Sequence, residues 1–111
     1  MAAKEGVHVL SNKKDFDEAL GQDKLMVVDF YATWCGPCKI IAPKVVEMSD
    51  RYPDARFFKV DVDELPDVAQ EWSVRAMPTF MLFKSGEKLQ EVVGANPVAL
   101  DAAIKAQLEK A

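Results

Sequence analysis

The fold of this chain is decided at residues 28–39, which read VDFYATWCGPCK. The stretch begins inside an apolar run, residues 25–31, that is almost continuous and is therefore typical of a central strand covered on both faces. It ends at Cys35 and Cys38, three positions apart, where a segment with helical periodicity begins. The residues predict a buried strand, a short loop and the N-terminus of a helix.

The two cysteines are placed for thiol chemistry. A spacing of three along a helix puts both sulfurs on one face, close enough for a disulfide, but such a short ring adds little stability to the fold. Cys35 lies at the predicted helix start, where unpaired N–H groups, the helix dipole and nearby Lys39 favour a thiolate. Cys38 lies one turn deeper and is expected to be shielded. We predict that Cys35 attacks a substrate disulfide and that Cys38 resolves the mixed disulfide.

Other uses of a cysteine pair are less consistent with the sequence. A C-x-x-C pair can be half of a metal site, but the chain has one histidine, His8, and no second pair, so we expect no metal. Two cysteines are also too few for a small secreted domain stapled by disulfides. These observations favour a redox-active pair.

The composition limits the classes of partner. The 111 residues are enough for one domain, and 50% are hydrophobic, which excludes a disordered chain. A net charge of -4 does not favour nucleic acid or an anionic membrane as a partner. No window has the length of a membrane-spanning helix, and residues 1–6 lack the apolar core of a secretion signal. We expect a cytoplasmic protein, although a precursor that had lost its targeting segment would look the same.

The rest of the chain alternates strands and helices. Further strands are predicted at residues 7–10, 56–62, 79–84 and 89–93, with a hairpin turn at 84–87. Helices are predicted after a cap at Ser11 or Asn12, from about residue 35 to 51 with a kink at Pro43, over 67–72, and from Pro97 to about 108. This order predicts an α/β fold with a mixed sheet of five strands flanked by four helices.

Two charged residues interrupt predicted strands. Asp29 lies in an apolar strand six residues before Cys35, and burying a carboxylate is costly unless it is paired or its pKa is raised. It could be a strand-end residue that reaches solvent or a backbone donor, or it could lie beneath the sulfurs as the proton acceptor for Cys38. Lys59 interrupts another strand, and neighbouring strands could bring the two charges together.

Three further segments need interpretation. Two of them, at Pro78 and Gly94, allow either a structural or a functional role. Pro78, after Met77, can be a simple strand start, or a cis peptide that holds the Met77 backbone open for a substrate. Gly94 can be a turn residue or a site of close backbone approach. Residues 61–64, DVDE, lack the later glycine and glutamate of a calcium loop and are interpreted as a solvated turn.

Taken together, these motifs resemble the thioredoxin family over nearly the whole chain. The resemblance is carried by residues 28–39, Pro43, Lys59 within 58–61, AMPTF at 76–80 and Gly94. The AMPTF segment is closer to eukaryotic cytosolic members than to bacterial ones. Tyr31 departs from the family, since many members carry tryptophan there.

The resemblance implies the thioredoxin fold, one domain over residues 1–111, and reduction of protein disulfides. It implies that Asp29 is the buried carboxylate beside Lys59, and that Pro78 is cis. It implies recharging by the flavoprotein thioredoxin reductase with NADPH, so we expect a chain that binds neither cofactor itself and carries only the redox-active disulfide Cys35–Cys38. We also expect a monomer. It also implies a shallow apolar rim for an extended substrate backbone, formed by Trp34, Gly36, Pro37, Met77, Pro78, Gly94 and Ala95.

Two alternative functions remain open at this point. The first is a binding module that uses the rim without turnover. The second is an oxidase or isomerase domain of an oxidising compartment, although Gly36 and Pro37 between the cysteines resemble reductants more than oxidants. A Cys38→Ser variant separates exchange from simple binding, because only exchange would trap a covalent mixed disulfide.

Overall fold

The computed structural model of the protein describes residues 3–110. The described elements follow the predicted order of strands and helices. They are β1 (Ala3–Val9), α1 (Lys13–Leu20), β2 (Leu25–Tyr31), α2 (Gly36–Arg51), β3 (Ala55–Asp61), α3 (Pro66–Glu71), β4 (Thr79–Lys84), β5 (Glu87–Val93) and α4 (Pro97–Glu109). Among these residues, no helix is long and apolar enough to cross a membrane.

The sheet has the strand order β1-β3-β2-β4-β5. The strands β1, β3 and β2 run parallel to one another, whereas β4 and β5 pair in the antiparallel sense. The predicted mixed sheet of five strands is therefore confirmed, with β2 at its centre. The short turn at residues 84–87 forms the predicted hairpin between β4 and β5.

The core consists of two layers that β2 separates. Leu25 and Val27 face a cluster built with side chains of α2 and α4, among them Ile41 and Ile104. Met26, Val28 and Phe30 face the opposite cluster, which is built with α1 and α3. Because side chains alternate along a strand, residue 29 must face α2 and α4, like Leu25 and Val27.

Several boundaries differ from the predictions by a few residues. Strand β1 ends at Val9, so Leu10 lies outside it, although its N–H still donates to the Lys59 carbonyl at 3.1 Å. Asn12, and not Ser11, caps α1, since its side chain accepts from the amide of Asp15 at 2.8 Å. The short helix begins at Pro66 and ends at Glu71 instead of covering 67–72. Proline at a first helical position is favourable, because no N–H is needed there.

Helix α2 continues through Pro43 and is tied to α4 at its C-terminal end. The Arg51 guanidinium donates to Asp101 at 2.6 Å, and the Tyr52 hydroxyl donates to the same carboxylate oxygen at 2.9 Å. Pro43 cannot donate to the carbonyl one turn earlier, so the kink that the sequence suggests at this position stays a prediction.

Strand β1 approaches α2 closely at Gly6. A Cβ atom built on Gly6 would lie 2.5 Å from the Oγ of Ser49 and 2.9 Å from its Cβ. The Ser49 hydroxyl is itself held, since it donates to the Val46 carbonyl at 2.6 Å. Only glycine at position 6 therefore allows β1 and α2 to pack at this distance.

We predict that Gly6→Ala destabilises the protein by about 1–3 kcal/mol, because the added methyl group forces β1 and α2 apart. The urea midpoint should fall at an unchanged m-value. Gly21→Ala is the matched control, since a Cβ there would meet nothing closer than 3.9 Å. Equal unfolding midpoints for the two variants would contradict the proposed close contact.

Candidate active site

Cys35 caps the N-terminus of α2 with its own sulfur. Its backbone is extended, with φ -88° and ψ 109°, and the amide N–H of Cys38 donates to Cys35 Sγ at 3.2 Å. Gly36 and Pro37 form the first helical positions, where proline costs no hydrogen bond. The helix dipole and this N–H both stabilise negative charge on Cys35 Sγ.

The two cysteines are joined as a disulfide, with their Cα atoms 5.3 Å apart. The expectation that Cys38 is shielded agrees with its exposed fraction of 5%, but Cys35 is also only 5% exposed in this oxidised form. Exposure therefore does not distinguish the two sulfurs here. The hydrogen bond from the Cys38 amide does, because it acts on Cys35 Sγ alone.

Met77 and Gly94 lie on the segments that border the disulfide. The carbonyl oxygen of Met77 is 3.6 Å from Cys35 Sγ, and the Met77–Pro78 peptide bond is cis. The Gly94 amide donates to the Pro78 carbonyl at 2.8 Å and takes a φ of +101°, which favours glycine. Ala95 follows directly and is exposed. The structure thus links Pro78 and Gly94, which are distant in sequence, beside the sulfurs.

Trp34 is the largest exposed side chain next to the disulfide, at 67% exposure. Its indole N–H donates to the Asp63 carboxylate at 3.0 Å. Residues 62–64 form an exposed turn before α3, as predicted, and Asp63 within this turn also orients Trp34. Val62 in the same segment packs against Ala32 and the two cysteines. A run of acidic residues in the sequence does not indicate which one meets an indole N–H.

Asp29 is buried on the face of β2 that α2 covers, with 6% exposure. Burial raises its pKa from 3.8 to about 7, while the positive charge of Lys59 opposes that rise. The two residues are register partners on adjacent parallel strands, as the sequence suggested. The alternative of a strand-end Asp29 that reaches solvent or a backbone donor is not supported, because Asp29 lies inside β2 and is 6% exposed. Its Oδ1 is buried and has no hydrogen-bond partner among the described residues.

The ammonium group of Lys59 does not form an ion pair with the Asp29 carboxylate. Its Nζ lies over the ring of Tyr31, 5.5 Å from the centroid, in a cation–π arrangement. Tyr31, the residue that departs from the family pattern, thus provides the aromatic face for this ammonium group. The Lys59 charge remains near Asp29 without neutralising it by direct contact.

A cleft of about 260 Å³ connects the carboxylate with the cysteine pair. Asp29, Cys38 and Lys59 all line it. Cys38 and Asp29 therefore border one shared space. A larger groove of about 610 Å³ beside Arg56 contains none of the predicted site residues. Within residues 3–110, no cluster of three or more His, Cys, Asp or Glu side chains could hold a metal ion.

Comparison with known proteins assigns the family. The sequence matches the thioredoxin family model over residues 7–106. The chain belongs to the thioredoxin family. It is 63% identical to Thioredoxin-2 of Pyricularia oryzae, over 95% of this chain and 61% of that protein, so it spans less than two thirds of that relative. It is 57% identical to Thioredoxin-1 of Schizosaccharomyces pombe, over 92% of this chain and 99% of that one.

A solved structure confirms the fold. The oxidised form of mitochondrial thioredoxin 3 from Saccharomyces cerevisiae superposes with a TM-score of 0.88 at 46% identity, over 95% of this chain and 99% of that chain. Thioredoxins are thiol–disulfide oxidoreductases without a bound cofactor, and the redox-active pair is present here as Cys35 and Cys38. The family, the fold and the protein disulfide reductase activity expected from the sequence are therefore confirmed.

We predict that Asp29→Asn stabilises the oxidised protein above pH 7 and has little effect below pH 3.8. The folded pKa of about 7 lies above the ordinary value of 3.8, so the native state holds a proton in this window that the unfolded chain has lost. Native stability therefore falls as pH rises from 3.8 to 7, by up to about 4 kcal/mol. The Asp29→Asn variant has no carboxyl group to ionise at this position, so its native stability does not show this decrease with pH.

The measurement is urea unfolding of the oxidised protein across this pH range. Asp54→Asn is the control, because Asp54 is an exposed aspartate outside the site. A stability difference between Asp29→Asn and wild type that does not change with pH would show that the buried carboxyl does not titrate near neutrality.

Proposed function

We propose that this chain reduces disulfides of other proteins as one domain, with Cys35 as the nucleophile and Cys38 as the resolving thiol. The observation that carries the assignment is the 3.2 Å hydrogen bond from the Cys38 amide to Cys35 Sγ at the start of α2. A donor and a helix N-terminus at one sulfur favour the thiolate at that sulfur, and the thiolate is the attacking species.

In the first step the Cys35 thiolate attacks one sulfur of the substrate disulfide. A bond forms between Cys35 and that sulfur, the substrate S–S bond breaks, and the other substrate sulfur leaves as a thiolate. The exposed Trp34, Gly36 and Pro37 on one side, and the segments at Met77 and Gly94 on the other, are suited to receive an extended substrate backbone. Pro78 and Ala95 complete the rim that the family resemblance implies.

In the second step Cys38 transfers its proton to the Asp29 carboxylate and attacks Cys35 Sγ. The Cys35–substrate bond breaks, the second substrate sulfur leaves as a thiolate, and the Cys35–Cys38 disulfide forms. Two electrons have then moved from the dithiol to the substrate. The shared cleft and the Asp29 pKa of about 7 support this base, because a group that ionises near the working pH is an effective acceptor. Lys59 supplies the charge that favours the ionised carboxylate.

We propose thioredoxin reductase, supplied with NADPH, as the partner that restores the dithiol, and protein disulfides as substrates. The net charge of -4 supports neither nucleic acid nor an anionic membrane as a partner. A reductase needs a reducing compartment, which supports a cytoplasmic location, with the protein acting as a monomer. A fluorescent fusion that collects in an oxidising compartment, or sedimentation as a dimer, would contradict these points.

We predict that Cys38→Ser accumulates covalent mixed disulfides with protein substrates, because the second step lacks its nucleophile. Non-reducing electrophoresis and intact mass detect the adducts. Cys35→Ser is the matched control and should form none and lose disulfide reduction. If Cys38→Ser binds partners only non-covalently, the chain is a binding module. If wild-type protein equilibrates with glutathione at a strongly oxidising potential, an oxidase function replaces the reductase function.

We predict that Asp29→Asn slows the second step on the order of tenfold or more near pH 7, because Cys38 loses its proton acceptor. In wild type the rate of this step should rise as pH increases through about 7, where Asp29 ionises, and this rise should be absent in the variant. The rate of the second step is measured as the rate at which the second substrate thiol is released in a single turnover. Identical pH profiles would remove Asp29 from the mechanism, whereas Asp54→Asn should match wild type.

A further inference from the structure

Met77 differs from the other methionines in the described part of the chain, because it is not buried in the core. Met26, Met48 and Met81 are at most 3% exposed. Met77 is partly exposed and lies directly before Pro78, which is buried. An oxidant dissolved in water therefore reaches the Met77 thioether more readily than the three buried ones.

The side chain of Met77 packs beside the redox-active disulfide. It contacts the buried cluster that contains Cys35 and Cys38. The backbone carbonyl oxygen of the same residue lies 3.6 Å from Cys35 Sγ. A chemical change at the Met77 sulfur therefore alters the surface next to the sulfur that a substrate must approach.

The backbone on either side of Met77 is held by hydrogen bonds. The Thr79 hydroxyl donates to the Ala76 carbonyl at 2.6 Å, and the Gly94 amide donates to the Pro78 carbonyl at 2.8 Å. Neither bond involves the Met77 side chain, so both can persist when its sulfur is modified. The unmodified side chain is apolar and flexible, which suits it to contact substrates of different shapes.

The cysteine sulfurs are protected from peroxide in the oxidised protein. The chain has only two cysteines, and here they are bonded to each other, so neither is the thiolate that peroxide oxidises first. In this form, Met77 provides the accessible unoxidised sulfur beside the disulfide.

We propose that Met77 is an oxidation site, at which a peroxide weakens the contact between the substrate rim and protein substrates. The proposal rests on the function proposed above, in which Met77 belongs to that rim. In the reaction the O–O bond of hydrogen peroxide breaks, one oxygen bonds to the Met77 sulfur and the other leaves as water. The sulfur loses two electrons and the peroxide gains them, while the Cys35–Cys38 disulfide takes no part.

The product is a sulfoxide, which is polar where the thioether was apolar. A polar group at the rim loses less water-excluding contact area when a substrate leaves, so it binds an apolar substrate segment less well. The effect should be largest for a protein substrate, which covers the rim, and small for a disulfide that barely extends beyond its own sulfurs. A methionine sulfoxide reductase would restore the thioether with two electrons and two protons from a dithiol, releasing water.

The test treats the oxidised protein with hydrogen peroxide, removes the peroxide with catalase and locates the added oxygen by peptide mass. The cysteine pair is then reduced, and second-order rate constants are measured with insulin and with oxidised glutathione. Each variant is compared with its own untreated sample. Met77→Leu removes the accessible sulfur, and Met48→Leu is the matched control, because it removes a buried one.

We expect Met77 to gain one oxygen atom before the three buried methionines do. Wild type and Met48→Leu should then reduce insulin about threefold or more slowly, while their rates with oxidised glutathione change by less than about twofold. Peroxide should leave the insulin rate of Met77→Leu at its untreated value. Met77→Gln, which carries a polar side chain without oxidation, should reduce insulin about threefold or more slowly than Met77→Leu.

Earlier oxidation of the buried methionines would overturn the site. If peroxide slows Met77→Leu as much as wild type, the loss arises elsewhere in the chain, and the proposal is wrong. Unchanged rates after complete oxidation of Met77, or equal slowing with both disulfides, would overturn the effect on substrate contact. These results leave the reductase function intact, whereas untreated wild type that fails to reduce insulin would refute both the function and the proposal.

Discussion

The burial of β2 on both faces is the constraint on which the rest of the structure depends. Its alternating side chains supply both core layers, so the strand cannot slip by one residue without exchanging them. The same alternation fixes Asp29 on the face that α2 covers, and the end of β2 fixes where the loop to Cys35 begins. The position of the sulfurs above the carboxylate is thus a consequence of strand register.

The buried carboxylate of Asp29 lowers the stability of this core. A carboxylate in the middle of a strand with apolar neighbours loses hydration that no hydrogen bond to its Oδ1 replaces within residues 3–110. An apolar residue at position 29 would pack against the same cluster without that cost. Burial raises the pKa of this carboxyl to about 7, and a group that ionises near neutral pH is suited to the proton transfer proposed for it. The burial that lowers the stability of the fold is therefore the same burial that raises the pKa of Asp29 toward neutrality.

The sequence predicted the elements and the cysteine site because both depend on local patterns. Apolar runs define β2 and β4, and a C-x-x-C at a helix start determines its own geometry. The contact between Trp34 and Asp63 could not be found this way, since it joins residues 29 positions apart through the shape of a loop.

The position of Lys59 explains how Asp29 keeps a pKa near neutrality. A direct ion pair would hold the carboxylate ionised far below pH 7, and Asp29 would then be a poor proton acceptor. An apolar residue in place of Lys59 would leave burial unopposed and raise the pKa further. With its ammonium over the Tyr31 ring, Lys59 acts on Asp29 through charge at a distance and avoids both extremes. The tyrosine that departs from the family pattern therefore helps to fix the position of the Lys59 charge relative to Asp29.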